Sequence, residues 1–265
     1  MLNNVNNMER YAGILLHITS LHNKEGIGTL GPEAHRFIDS LGKASQKYWQ
    51  MLPIHPTIIG DSPFQGPSVF AGNPNLISLE GLVNAGNLSQ ENYGQYLSRY
   101  TRFKEAYDGR SDNYIEYGFI WENKLGFDSK VNGYNNAALR QAYEGFKVRA
   151  DSSRNRDFQK FREENAKWLD DYADFMALKE MYGFDKMWND WDKKHKDRED
   201  GYNKDIDKES IRFYKYVQFV FDEQMTALRH SAKKNGVKLI GDVPIYPAYD
   251  SADVWVNREL FRLDS

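Results

Sequence analysis

The 265-residue chain contains no cysteine. That one absence excludes disulfides, a thiolate nucleophile and cysteine-rich zinc sites together. Long apolar runs are also missing: no stretch approaches the ~18 residues that a membrane helix needs. The Asn-rich start, Met1 to Arg10, has no apolar core and does not read as a signal peptide. The expectation is a soluble cytoplasmic protein with no membrane partner. Charge of one sign is lacking too, since 35 Lys and Arg stand against 38 Asp and Glu, a net −3. Without a basic field, nucleic acid is not an expected partner, and a neutral molecule such as a sugar polymer fits better. The chain has no GxSxG, P-loop or GxGxxG motif. Its six histidines (His17, His22, His35, His55, His195, His230) show no metal-ligand spacing. No metal site and no cofactor are expected.

What the chain has in quantity is aromatic residues, 14% of the total, including 17 Tyr and 6 Trp. Most of these are expected to pack amphipathic helices, with one end dry and one wet. Three compact apolar runs read as strands: Ala12–Ile18, Tyr48–Ile54 and Val237–Tyr246. Apolar residues in succession suit parallel strands buried on both faces. Between the first two, Pro32 to Lys47 reads as a helix, with Pro32 at its first position, Glu33 complementing the dipole and Phe37, Ile38 and Leu41 on one face. Strand, helix and strand in that order make a βαβ unit. A second helix is expected from Ser210 as cap to Asn235-Gly236 as stop.

The middle of the chain reads differently. From 84 to 207 it is charged and aromatic, with helical spacing through Tyr93, Tyr96, Leu97 and Tyr100 and again from Phe158 to Leu178. No strand pattern appears there, so it reads as a helical insertion subdomain. Setting it aside leaves about 145 of the 265 residues. A βαβ unit takes about 30 residues and a whole (β/α)8 barrel about 250. The expected fold is therefore α/β: a partial (β/α)8 TIM-type barrel with its first three strands. Residues 1–83 would carry strands one and two, 84–207 the insertion, and 208–265 the next helix and third strand.

Two loops hold the candidate chemistry. In Gly60-Asp61-Ser62-Pro63-Phe64-Gln65-Gly66-Pro67 the prolines stiffen the chain, while Ser62 and Gln65 offer hydrogen bonds beside the ring of Phe64. An aromatic plane with polar neighbours suits a sugar subsite; a rigid structural cap is the other reading. Asp61 reads as turn chemistry. In Gly241-Asp242-Val243-Pro244, Asp242 stands at a strand's C-terminal end, where barrel active sites are built. Its other reading is a backbone or arginine anchor. Asp250 and Asp253 flank Ser251 and look like helix caps, and Trp255 either stacks on a sugar or packs. Retaining glycosyl transfer needs two carboxyl groups about 5–5.5 Å apart. Asp242 supplies one at most.

These segments resemble the amylomaltase family, the 4-α-glucanotransferases related to α-amylases. Arg10 to His17, Gly26-Ile27-Gly28-Thr29-Leu30-Gly31, Trp49-Gln50-Met51-Leu52-Pro53, Gly60-Asp61-Ser62-Pro63 and Ala71-Gly72-Asn73-Pro74 match its opening. Trp168 to Ala173 and Ala177-Leu178-Lys179 resemble its helical subdomain, and Gln218, Phe221, Glu223 and Gln224 the helix before the third strand. The resemblance implies an enzyme acting on α-1,4-glucans and maltooligosaccharides by a retaining double displacement. It implies substrate contacts at Ser62, position 64 and Asp242. The family usually has Tyr where this chain has Phe64. The nucleophile and acid/base of the family fall beyond Ser265 in family order, so no catalytic residue is assigned. The chain then reads as the N-terminal half of a transferase, inactive alone. The alternatives are a non-catalytic glucan-binding or vestigial protein, or a split enzyme with its C-terminal half on a separate chain.

Overall fold

The computed structural model describes residues 10–57, 61–106, 114–126 and 136–263. Most of the Asn-rich start, Gly60 and Ser265 lie outside them. Strand β1 is Gly13–Leu15, helix α1 Pro32–Lys43, strand β2 Tyr48–Gln50 and the two-residue strand β3 Gln65–Gly66. Helices α2 (Leu79–Asn84), α3 (Gln90–Ala106), α4 (Tyr117–Ile120), α5 (Ala138–Arg149), α6 (Ser152–Tyr182) and α7 (Lys193–Lys196) follow. Helix α8 (Lys208–Lys234), strands β4 (Lys238–Ile240) and β5 (Tyr246–Pro247) and helix α9 (Ala252–Val256) end the described chain.

The three expected strands form one sheet in the order β1-β2-β4, all parallel, with Ile14, Trp49 and Leu239 in register. They are shorter than their apolar runs. One more ladder bond follows each of the first two strands, from the Leu16 amide to the Gln50 carbonyl and from the Met51 amide to the Ile240 carbonyl, and the apolar runs continue past the pairing. The expectation of strands buried on both faces is corrected. On one face Trp49 is fully buried, its ring 4.9 Å from that of Phe37 on α1. On the other face Leu15 is 60% and Ile240 40% exposed, and at the edge of Trp49's own face Ile14 is 41% exposed. The sheet is open among the described residues, with nothing paired to the outer edge of β1 or β4.

Helix α1 stops at Lys43 rather than Lys47, and Ser45 takes a left-handed turn at φ 58°. Helix α8 begins two residues before Ser210, and its cap is Asp207, whose carboxylate accepts from the Glu209 and Ser210 amides. A carboxylate that reaches two orphan N–H groups outcompetes the serine hydroxyl as a cap. Its end at Asn235, followed by Gly236 at φ 66°, is as expected. No strand occurs between β3 and β4 among the described residues.

The core is continuous across these parts. Helices α5, α6 and α8 meet through Phe146, Phe158, Tyr216 and Phe219, whose rings pack 5.0–5.5 Å apart. Arg154, on the first turn of α6, grips Glu223 of α8 through two hydrogen bonds of 2.9 and 2.8 Å. A buried ion pair joins the loop after β1 to the turn after α4: Glu25 and Lys124 lie 3.7 Å apart, and Lys124 also donates to the Asn75 carbonyl.

Candidate functional site

Both sequence-selected loops leave the C-terminal ends of parallel strands, and the fold joins them. Gln65 pairs with Tyr246 and Gly66 with Pro247 in a second, two-stranded parallel sheet. The Ala252 amide donates to the Pro67 carbonyl at 2.8 Å, and the Val69 amide donates to the Asp253 carboxylate at 2.9 Å. Gly66 is required at this seam. A Cβ there would stand 2.1 Å from the Pro56 carbonyl oxygen and 2.3 Å from His55 Nδ1. We expect Gly66→Ala to cost about 1–3 kcal/mol, as overpacking against fixed backbone does. Hydrogen exchange at the Ala248 amide, which donates to the Gly66 carbonyl, should accelerate in that variant. Unchanged exchange would mean that the seam tolerates the methyl group.

Helix α8 holds the first loop from behind. Gln218 accepts from the Gly72 amide (2.7 Å) and donates to the Gly72 carbonyl (3.0 Å). One and two-thirds turns later, Gln224 makes the same pair of bonds to Ser78, at 2.7 and 3.0 Å. A side-chain amide matches a peptide group donor for acceptor, so each glutamine replaces a strand neighbour the loop lacks.

The predicted residues fall into two groups. Ser62, Phe64, Gln65 and Asp242 are exposed at this end of the molecule. The Ser62 hydroxyl accepts from the Phe64 amide at 3.3 Å, which folds the loop so that the Phe64 ring stays 39% exposed. The Asp242 carboxylate accepts from the amide of Val243 at 2.8 Å. Asp61 has φ 53°, a left-handed turn that aspartate tolerates, and burial pushes its carboxyl above the usual range.

Trp255 is different. It is 1% exposed, packs edge-on against Trp191 and Tyr202, and donates its indole N–H to the His195 carbonyl at 3.0 Å. Of its two readings, stacking on a sugar or packing, the ring takes the second in this structure, because α9 turns it into the core. Ser251 is the true cap of α9, accepting from the Val254 amide. Asp250 instead pairs with Lys179 of α6 at 2.6 Å and accepts from the Trp188 amide. Burial raises the Asp253 carboxyl above its ordinary range, opposed by its bond from Val69 and by nearby His55. Sequence reasoning missed Gln218, Gln224 and Asp253 as the residues that fix the loops. Their partners lie 146 to 184 positions away, and no local pattern carries that information.

An open parallel α/β sheet with polar-aromatic loops at its strand ends is an arrangement that many α/β enzymes share, whatever their chemistry. The comparisons narrow it. The model of the 4-alpha-glucanotransferase family matches residues 16–265, and the chain belongs to that family. The 4-alpha-glucanotransferase of Clostridium butyricum is 42% identical over 252 residues, 94% of this chain and 46% of that protein. That of Thermus thermophilus is 38% identical over 260 residues, covering 97% of this chain and 47% of its own length. Among solved structures, amylomaltase from Streptococcus agalactiae in complex with acarbose superposes with a TM-score of 0.81 at 34% identity, over 97% of this chain and 48% of that one. The chain thus spans about half the length of the relatives it matches. Among the described residues, no helix is long and apolar enough to cross a membrane.

Proposed function

We propose that this chain forms the N-terminal half of a 4-α-glucanotransferase catalytic unit, contributing the first three strands of a (β/α)8 barrel and its helical insertion at 84–207. The open inner face of the sheet carries this reading. Leu15 and Ile240 project from the two outer strands into solvent, where further strands of a closing barrel would bury them. On this reading Ser62, Phe64, Gln65 and Asp242 contact an α-1,4-glucan, and the remaining half supplies the nucleophile and the acid/base. The donor's glycosidic bond breaks as C1 joins a carboxylate and the acid protonates the leaving 4-oxygen. An acceptor 4-hydroxyl then displaces the carboxylate, giving its proton to the same base.

The experiment is complementation. The part of the Clostridium butyricum relative that follows the matched region is purified and mixed with this chain, and glucose released from maltotriose is measured. Activity absent from both parts and present in the mixture supports the reading. A well-folded mixture that stays inactive, at any ratio, would overturn it.

Phe64 gives a finer expectation in the complemented enzyme. Restoring a hydroxyl by Phe64→Tyr adds one hydrogen bond, about 0.5–1.5 kcal/mol, so maltodextrin affinity should improve by no more than roughly tenfold. Phe64→Ala should weaken binding more than that and leave the melting temperature unchanged. A lower melting temperature with unchanged affinity would make the ring a structural plug.

A further inference from the structure

On the side of the two loops that faces α6 and α8, a cavity of about 290 Å³ opens beside Asp242. Its walls include two rings of different origin: Phe70 from the first loop, 64% exposed, and Trp168 from α6. Their planes lie within 23° of parallel, with centroids 6.4 Å apart. Trp168 is held in place by its indole N–H, which donates to Asn165 Oδ1 at 3.1 Å. Exposed large rings are ordinarily withdrawn into a core, and the other rings of α6, from Phe158 to Phe175, are. The Phe70 ring is exposed and Trp168 is half-buried against the core, and both line the cavity.

Polar groups surround it. Asp222 and Arg229, one helical face of α8, line the cavity together with Asp242. His55, 4% exposed, is another of the lining residues. His55 Nδ1 lies 2.8 Å from the Pro56 carbonyl oxygen. A carbonyl only accepts, so Nδ1 carries the proton and Nε2 presents a lone pair. That Nε2 is buried and has no hydrogen-bond partner. A buried acceptor without a donor is costly, and a ligand hydroxyl reaching His55 from the cavity would satisfy it.

We propose that Phe70 and Trp168 form a platform for a glucosyl unit of an α-1,4-glucan, with His55, Asp222, Arg229 and Asp242 taking its hydroxyls. A pyranose has an apolar face for the rings and an equatorial belt of hydroxyls for the polar wall. The mixed charges of Asp222, Arg229 and Asp242 suit a neutral, many-hydroxyl ligand better than an ion. The choice of an α-glucan rests on the family reading above, whereas the platform is a property of this chain's own residues.

The test uses the 265-residue chain itself and maltoheptaose, by isothermal titration. Binding by the parent chain is expected, and Phe70→Ala should weaken it by roughly tenfold, the loss of about 55 Å² of apolar contact. Asp222→Ala, on an exposed helix face, should weaken it without changing the thermal melt. Phe64→Ala serves as the discriminating variant, since it touches the other loop segment. If Phe64→Ala weakens binding while Phe70→Ala does not, the platform is wrong and the substrate-loop reading stands. If the parent chain does not bind maltoheptaose, the platform is overturned, while complementation still decides the family reading separately. Weakening by Phe70→Ala with a lowered melting temperature, and none by Asp222→Ala, would also overturn it.

Discussion

Maltotriose incubated with the purified chain alone is expected to remain maltotriose, with no glucose or longer maltodextrin above a heat-killed control. The expectation follows from the carboxylates near the two loops. Asp253 is held by the Val69 amide, and Asp250 is held by Lys179 and the Trp188 amide. Asp61 has its backbone in a left-handed turn and its side chain half-buried. Of the carboxylates carried by the two loops themselves, Asp242 alone stands exposed, and a retaining transfer needs two carboxyl groups in opposed roles about 5–5.5 Å apart. A single carboxylate has no general acid to protonate the leaving oxygen. Losing either member of such a pair removes most of an acceleration that in enzymes runs to 10⁶-fold or more. Thin-layer or ion-exchange analysis of the sugars after a day would show it. Disproportionation by the chain alone would mean that Asp242 has a carboxyl partner outside the two loops, with Asp222 of the shared cavity the first to test.

How much of this was legible beforehand differs by kind of information. The βαβ opening was readable, because Ala12–Ile18 and Tyr48–Ile54 are apolar runs bracketing the amphipathic segment from Pro32. Strand length was not, since Leu16 or Ile54 is as apolar as its paired neighbours and only the partner strand decides where a ladder ends. The loops at 61–74 and 241–255 stood out by their prolines, aromatics and acids. That Gln65–Gly66 pairs with Tyr246–Pro247 was invisible, because two residues make no period. Trp255 and Phe70 illustrate the same limit from opposite sides. Both are aromatic and near a loop, yet one is 1% and the other 64% exposed. Burial there depends on the direction in which α9 and the first loop leave their strands, which local sequence does not encode. The Asp253 contact shows how a local rule can be right in type and wrong in residue: a cap was expected at 250–253, and Ser251 provides it while Asp253 bonds across the seam.

Glu25→Gln is expected to be among the most damaging single substitutions in the chain, by about 3–5 kcal/mol, the usual cost of removing one partner from a buried ion pair. Glu25 is 2% exposed, and its carboxylate accepts from the Leu79 and Glu80 amides at the start of α2. It stands 3.7 Å from Lys124, which is fully buried. The amide of Gln cannot neutralise that lysine, and its NH₂ group would face backbone donors. Lys124 would be left with the Asn75 carbonyl at 2.8 Å. Adding Lys124→Met should therefore recover part of the loss, so that the double variant is more stable than Glu25→Gln alone. Strict additivity would show that the two charges are not coupled.

The same pair sets a pH dependence whose direction is fixed. Burial holds the Lys124 ammonium down at about 8 against its ordinary 10.5, with Glu25 pulling the other way. Between those values the unfolded chain binds more protons than the folded one, so stability rises with pH across that window. At about 1.4 kcal/mol per pK unit, the rise is at most about 3.5 kcal/mol. Buried tyrosines such as Tyr93 and Tyr96, whose hydroxyls are pushed well up, oppose it at the alkaline end. They do so equally in Lys124→Met, which makes the difference between the two proteins the informative quantity. Urea unfolding of both from pH 7 to 10 should show the parent gaining stability relative to the variant above pH 8. A difference that is flat in pH would mean that Lys124 keeps its proton in the folded state and that the ion pair with Glu25 outweighs its burial.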